Sequence, residues 1–276
     1  MTILRELKRR QRAWAASKNI PFDRNGYVPE EAQNFLLPLS QRFSKSLDSA
    51  GGGERQRQRH LPAKIRALHS SSALAINVFQ YWEDKRGPGL PRAIGLEGEL
   101  ADVSIERQFP TGLRGTPPTL DVLLEMDDHC IVAIESKFTE WIERKRPDLD
   151  RFRRKYLNTG RELWADAGLP NCQALAFEVA DHKIQFRQLD VLQLLKHALG
   201  LGISAKRPFS LMYLYYDHDR TSDIADLHRE EVGRFAGRVD DRLNFRAMSY
   251  QSLFAALAGA PLIDPGYIAY LKERYP

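Results

Sequence analysis

The sequence holds little of what would settle its class at a glance. Only two of its 276 residues are cysteine, Cys130 and Cys172. They lack metal-ligand spacing, so a disulfide framework and a thiolate zinc site are excluded and two reduced, half-buried thiols are expected. No apolar run approaches the ~20 residues that a membrane-spanning helix needs. The N-terminus MTILRELKRRQRAW is basic but has neither a continuous apolar stretch nor a small-residue cleavage site, so a cytoplasmic location without membrane contact is expected. Internal repeats and helicase or methyltransferase motifs are also missing. The only low-complexity stretch is SAGGGERQRQR, near residue 50.

What is there is the composition of a globular chain, 43% hydrophobic and 28% charged, long enough for one sizeable core plus an N-terminal appendage. The net charge of +5 is unevenly spread. Residues 1–60 hold twice as many basic as acidic side chains, while the rest is near balance. RELKRRQR (5–12), ERQRQRH (54–60) and ERKRPDLDRFRRKY (143–156) would suit a polyanion such as nucleic acid, and would equally serve as solvated helix faces. The glycine run near residue 50 divides a basic helical N-terminal arm, 1–60, from a domain over 61–276.

Apolar spacing in KIRALHSSSALAINVFQYWEDK (64–85) predicts a helix, capped by one of Ser70 to Ser72. KRGPGLPR (85–92), with two prolines and two glycines, reads as a loop. The period then changes to two, and ADVSIERQF (101–109), TLDVLLEM (119–126) and CIVAIESKF (130–138) predict three consecutive strands. Helices are expected over 150–168 and 189–201, and SLMYLYYD (210–217) is a strand buried on both faces. A helix near 223–237, a short strand at 243–248 and helices at 250–258 and 266–274 complete the chain. The fold class is α/β, a mixed central sheet in α-β-β-β-α-β order flanked by helices.

The pattern acid-x-lysine is cheap in a chain this charged, and its matches include Glu83/Lys85, Glu135/Lys137, Glu143/Lys145 and Asp181/Lys183. Of these only Glu135/Lys137 interrupts an apolar alternation. Side chains two apart on a strand share a face, so Glu135 and Lys137 project together with Ile131 and Ala133, and Cys130, Val132, Ile134, Ser136 and Phe138 take the other side. In the preceding strand Asp121 falls opposite Leu120, Val122 and Leu124. If the two strands pair as a hairpin, all three charges meet at one edge. A solvated sheet face has the same alternation. As a site, two converging carboxylates suit a hard cation such as Mg²⁺, and the lysine beside them supplies a positive charge able to steer or deprotonate the attacking water or to stabilise charge at phosphorus.

Asp121, with Pro117 and Pro118 shortly before it, and Glu135-Ser136-Lys137 fourteen residues on, in this order of strands and helices, resemble the PD-(D/E)xK phosphodiesterase superfamily of restriction-endonuclease-like enzymes. HSSSALAINVF (69–79) and IESKFTE (134–140) look like a bacterial restriction-endonuclease-like subgroup. The resemblance spans roughly residues 50–260 and implies a restriction-endonuclease-like core and a Mg²⁺-dependent endonuclease (Mn²⁺ substituting) that acts on DNA in bacterial restriction or phage defence. It implies Asp121, Glu135 and the Ser136 carbonyl as metal ligands and Lys137 as the catalytic lysine. Glu106 is the candidate third acid, ahead of Glu54, Glu97 and Glu99. Gln193 and His197, four apart on one helix face, are similar to a DNA-contacting QxxxY motif with His in place of Tyr, and are equally a polar stripe. Asp217-His218-Asp219 reads as a turn. Asn77 either faces the site or serves packing. The resemblance allows a homodimer. Its alternative is a catalytically inactive nuclease-fold module that binds nucleic acid or a protein partner.

Overall fold

The computed structural model describes residues 2–49, 53–56, 60–143, 147–218, 222–260 and 263–276. Part of the 54–60 and 143–156 basic runs, Lys145 of the Glu143/Lys145 pair and Asp219 lie outside the described residues. The N-terminal residues form α1 (Ile3–Ser17) and α2 (Gln41–Ser49), followed by α3 (Ser71–Phe79) and a short α4 (Gly89–Ala93). Three strands come next, β1 (Leu100–Gln108), β2 (Thr119–Met126) and β3 (Ile131–Lys137). Helices α5 (Leu149–Phe152), α6 (Leu163–Asp166), α7 (Pro170–Ala180) and α8 (Val191–Ser204) lead to β4 (Phe209–Tyr215). The chain closes with α9 (Asp223–Ala236), β5 (Arg246–Ser249), α10 (Tyr250–Ala258) and α11 (Pro265–Arg274).

The strands make one mixed five-stranded sheet in the order β1-β2-β3-β4-β5. β1, β2 and β3 form an antiparallel meander, and β4 and β5 add to it in parallel, as expected for a restriction-endonuclease-like core. Both faces of the sheet are covered. One packs Val122, Leu124, Val132, Ile134 and Leu214 under α3, α10 and α11, with Leu7, Phe43 and Leu47 from the N-terminal helices in the same cluster. The other packs Leu123, Ile131, Ala133 and Leu211 under α6 to α9. This double cover explains why β4 lacks alternation: every residue in it is buried.

Local chemistry sets the helix that matters most. Glu231 is buried and accepts the backbone N–H groups of Arg187, Gln188 and Leu189 at 2.6, 2.8 and 2.8 Å, fixing the approach to α8. Asp190 then caps that helix by accepting the Gln193 N–H at 3.1 Å. At its far end a Cβ on Gly200 would stand 2.6 Å from the Phe109 carbonyl oxygen, so only glycine lets α8 lie this close to the end of β1.

Ser70 is the cap of α3, accepting the Ala73 N–H at 3.2 Å. The expected helix 64–85 is broken: a 3₁₀ turn at Lys64–Arg66 precedes α3 and another, Gln80–Trp82, follows it. The expected loop 85–92 instead contains α4. Its Pro91 lies in the first turn, where a missing N–H costs nothing, and Gly89 permits contact with the Trp82 ring, 3.1 Å from where a Cβ would sit. The expected helix 150–168 splits into α5, a π turn at Arg153–Leu157 and α6, interrupted at Gly160 (φ 71°). α7 was not expected; it is apolar nearly all round, so it lacks the one-sided pattern of a surface helix. Asn77 serves packing: its amide oxygen accepts the Leu36 N–H at 2.6 Å and its nitrogen donates to the Asn34 carbonyl at 3.0 Å.

Candidate active site

The β2–β3 ladder runs in register from Glu125–Ile131 to Val122–Ile134 and stops there. One residue further, the Asp121 side chain takes over, its Oδ2 accepting the Ser136 N–H at 2.6 Å. The strands therefore part at the point where the acids lie. Leu120 follows the turn of the chain and packs with Leu123 on the α8 side, whereas strict alternation would put it with Val122.

Glu135 is 1% exposed and Lys137 14%, and the lysine ammonium is paired with the glutamate carboxylate. From above, α8 delivers His197, 2% exposed, with Nε2 2.9 Å from Glu135 Oε2. Neither carboxylate oxygen of Glu135 and neither ring nitrogen of His197 makes a hydrogen bond of ordinary geometry among the described residues. Glu106 sits where β1 departs from regular pairing: its neighbours Ile105 and Arg107 pair with Val122 and Leu120, while Glu106 itself has φ 55°, a left-handed conformation costly for a non-glycine residue.

The electrostatics are those of acids short of a counter-charge. Burial pushes the Asp121 carboxyl well above the usual carboxylate range, and the Glu135 charge adds to it. Burial, Glu54 and Glu135 raise Glu106 to about 7. Burial opposes charge on Glu135 as well, but Lys137 and His197 outweigh it and hold that carboxyl at about 2. The Lys137 ammonium stays protonated, because the charges of Glu135, Asp121 and Glu140 overcome its burial.

Residues 8–276 match the family described as Restriction Endonuclease associating with ARP. The chain belongs to that family. Comparison with curated proteins and with solved structures finds no match. Membership makes the chain restriction-endonuclease-like and nuclease-related, and no described helix is long and apolar enough to cross a membrane.

In this family member the sheet brings Asp121, Glu135, Ser136 and Lys137 together. Glu106 comes within electrostatic reach of Asp121 and Glu135, as does Glu54 of Glu106. Among the described residues no three His, Cys, Asp or Glu side chains form a group at metal-binding spacing. The two acids have other partners: Ser136 N–H donates to Asp121, and the Lys137 ammonium pairs with Glu135. The fit to a hard cation rests on the buried Glu135 carboxylate, met only by Lys137 and His197 side chains among the described residues, and on two neighbouring acids whose charge is unfavourable without a cation.

Gln193 and His197 part company. Gln193 lines a cavity of about 40 Å³ together with Lys137, Glu140 and Tyr213. His197 is turned inward to Glu135, a contact that sequence alone did not suggest; the signal for it was a histidine inside an otherwise apolar helix face. Ser136 faces the other way, its Oγ 2.6 Å from the Tyr250 hydroxyl. Asp217 accepts from the Arg229 guanidinium at 2.6 Å.

Proposed function

We propose that the chain is a divalent-metal-dependent endonuclease of the PD-(D/E)xK type that hydrolyses phosphodiester bonds in DNA, acting in the cytoplasm in bacterial restriction or phage defence. One observation carries this: Asp121, Glu135 and Lys137 meet in a buried setting at the point where two strands separate, and the Glu135 carboxylate meets only Lys137 and His197 side chains among the described residues. Asp121, Glu135 and the Ser136 carbonyl would hold Mg²⁺ or Mn²⁺, with Glu106 as the further acid. A cation bound there supplies Lewis acidity, polarising a phosphoryl oxygen and acidifying water.

The chain's own residues do the rest. Lys137 offers a positive charge beside the phosphorus centre, where negative charge builds during displacement, and the neighbouring Glu135, Asp121 and Glu140 charges favour its protonated form. His197 orients Glu135 from behind, a positioning role. Gln193, which lines the small cavity beside Lys137, would contact the nucleic acid. Basic residues of the arm, 1–60, would grip phosphates without reading sequence. The family's description names an association with ARP, which we extend to this chain.

A second reading, a nuclease fold that binds nucleic acid or a protein partner without cutting it, is favoured by one observation: the Lys137 ammonium holds Glu135 where a cation would bind. Plasmid nicking with Mg²⁺ and Mn²⁺, alongside Mn²⁺ calorimetry on wild type and Asp121→Ala, separates the two. Nicking and binding heat that both vanish in the variant support the enzyme. Salt-sensitive DNA binding with no turnover in any divalent metal supports the module.

A further inference from the structure

Beside the acids lies a larger cavity, about 580 Å³, between the 114–118 loop, the α5 region and α8. Its walls carry Arg114, Arg151, Lys155 and Lys196. Two of these cations share one ring: the Lys155 and Lys196 ammonium groups lie 5.3 and 6.0 Å from the Tyr156 centroid. The loop opposite bends toward them at Gly115, φ 97°, where an added Cβ would sit 3.4 Å from Lys155 Nζ. Neighbouring arginines are neutralised, Arg153 by Asp181 and Arg161 by Asp166. The four in the cavity form no ion pair of that kind among the described residues. Two carboxylates share the wall, half the number of cations, and both also cap helix starts, Asp148 accepting the Arg151 N–H at 2.8 Å and Asp190 that of Gln193 at 3.1 Å. Burial holds the Lys196 amine below its ordinary value; the Asp190 carboxylate opposes that, and the nearby Lys155 and Arg151 charges add to it.

Shape narrows the ligand further. The volume falls in the range of roughly 300–1,000 Å³ that encloses a small molecule. A DNA duplex is convex and presents its phosphates outward, so it can lie across such a mouth but cannot enter it. A strand with unpaired bases can, placing phosphates against the cations. Asp190 belongs to the wall of this cavity and also to that of the small cavity beside Lys137 and Gln193, so the two adjoin.

We propose that this cavity takes an unpaired stretch of DNA, holding the phosphates that flank the bond presented to Lys137, so that the substrate is single-stranded on one side of the cut. The path onward from the cavity rests on the nuclease reading above; the binding itself does not. The test is fluorescence anisotropy with a labelled single-stranded oligonucleotide and with its duplex, in EDTA, over a range of salt concentrations. It compares wild type with Arg151→Glu/Lys155→Glu and with the charge-preserving Arg151→Lys/Lys155→Arg, each checked for native near-ultraviolet circular dichroism.

Wild type should bind the single strand at least tenfold more tightly than the duplex. Charge reversal should weaken single-strand binding at least tenfold and flatten the dependence of log K on log salt by roughly 0.7 for each phosphate the variant no longer neutralises. The charge-preserving variant should retain binding. Equal affinity for duplex and single strand, unchanged affinity and salt slope after charge reversal, or competition by a mononucleotide as effective as by the oligonucleotide would each overturn the assignment. Single-strand binding with these signatures but no cutting in Mg²⁺ or Mn²⁺ would remove the nuclease and leave the cavity's ligand standing. Cutting that is indifferent to the cavity would do the reverse.

Discussion

Residues 135–137 and 181–183 both read acid, any residue, lysine, and both pairs are within ion-pair distance. Asp181 and Lys183 follow the end of α7, their side chains 33% and 69% exposed. There water and salt screen each charge, and the interaction is worth little. Glu135 and Lys137 stand on a central strand beneath α8, where desolvation is expensive and is offset by mutual attraction, by His197 and by the nearby Asp121 and Glu140 charges. Buried ion pairs are weak evidence for stability, since apolar residues of similar volume often do as well. Charges kept in such a place are better accounted for by chemistry, and groups with shifted protonation cluster where chemistry happens.

The largest effect that could break this contrast is at Lys137. Lys137→Ala removes the charge proposed to face phosphorus and should slow plasmid nicking by about 10²–10³-fold, the size of a lost electrostatic stabiliser. It also leaves Glu135 buried beside His197 without its main partner, which should cost about 3–5 kcal/mol in a urea melt. A variant that nicks at the wild-type rate would remove Lys137 from the site. Next in size is His197→Gln. If His197 positions Glu135, metal affinity by calorimetry and nicking should both fall by roughly 10–100-fold. A helix residue with a packing role alone would change the melt and leave metal affinity intact.

Strand parity was enough to locate Glu135 and Lys137, because a period of two leaves no choice of face once neighbours are apolar. Asp121 was legible for the same reason, although its carboxylate bonds to Ser136 through a gap that parity does not predict. Glu106 was a reasonable choice from its strand, but its left-handed backbone and position outside the ladder come from tertiary strain that no local pattern encodes. His197 shares a helix face with Gln193, a spacing similar to a DNA-contacting motif and equally that of a polar stripe, and its inward contact with Glu135 depends on how α8 packs over β3. α4 and α7 escaped notice for opposite reasons: the first is spelled with loop residues, and the second has no polar face to give it a period. The basic cavity draws Arg114, Arg151 and Lys196 from three segments, so only the Arg151–Lys155 part of it was visible as a charged run.

A milder effect concerns protons. His228 is buried, stacked on Trp141 at 4.4 Å, with Nε2 2.9 Å from the Tyr213 hydroxyl. Burial, with Arg229 nearby, lowers it from 6.5 to about 3, so the fold holds it neutral. Below pH 6.5 the unfolded chain binds a proton that the folded chain refuses. The contribution is therefore full above 6.5 and declines as pH falls toward 3, by about 1.4 kcal/mol per pH unit at its steepest. Carboxylates titrate in the same window, so the measurement is a difference: urea melts of wild type and His228→Phe from pH 7 to 4 should converge as the pH drops. Parallel curves would mean that the folded imidazole takes up its proton as readily as the unfolded one.

The smallest effect is the control that gives the comparison its meaning. Lys183 lies 3.3 Å from Asp181, and that carboxylate also accepts from Arg153 Nη2 at 2.8 Å. Lys183→Ala removes one exposed partner and leaves Asp181 paired, so stability should move by no more than about 0.5 kcal/mol. Among the described residues neither Asp181 nor Lys183 pairs with Glu135, so nicking should stay within twofold of wild type. If Lys183→Ala instead slowed nicking as much as Lys137→Ala, burial would not be what separates the two copies of the pattern, and the case for the strand site would lose its strongest support.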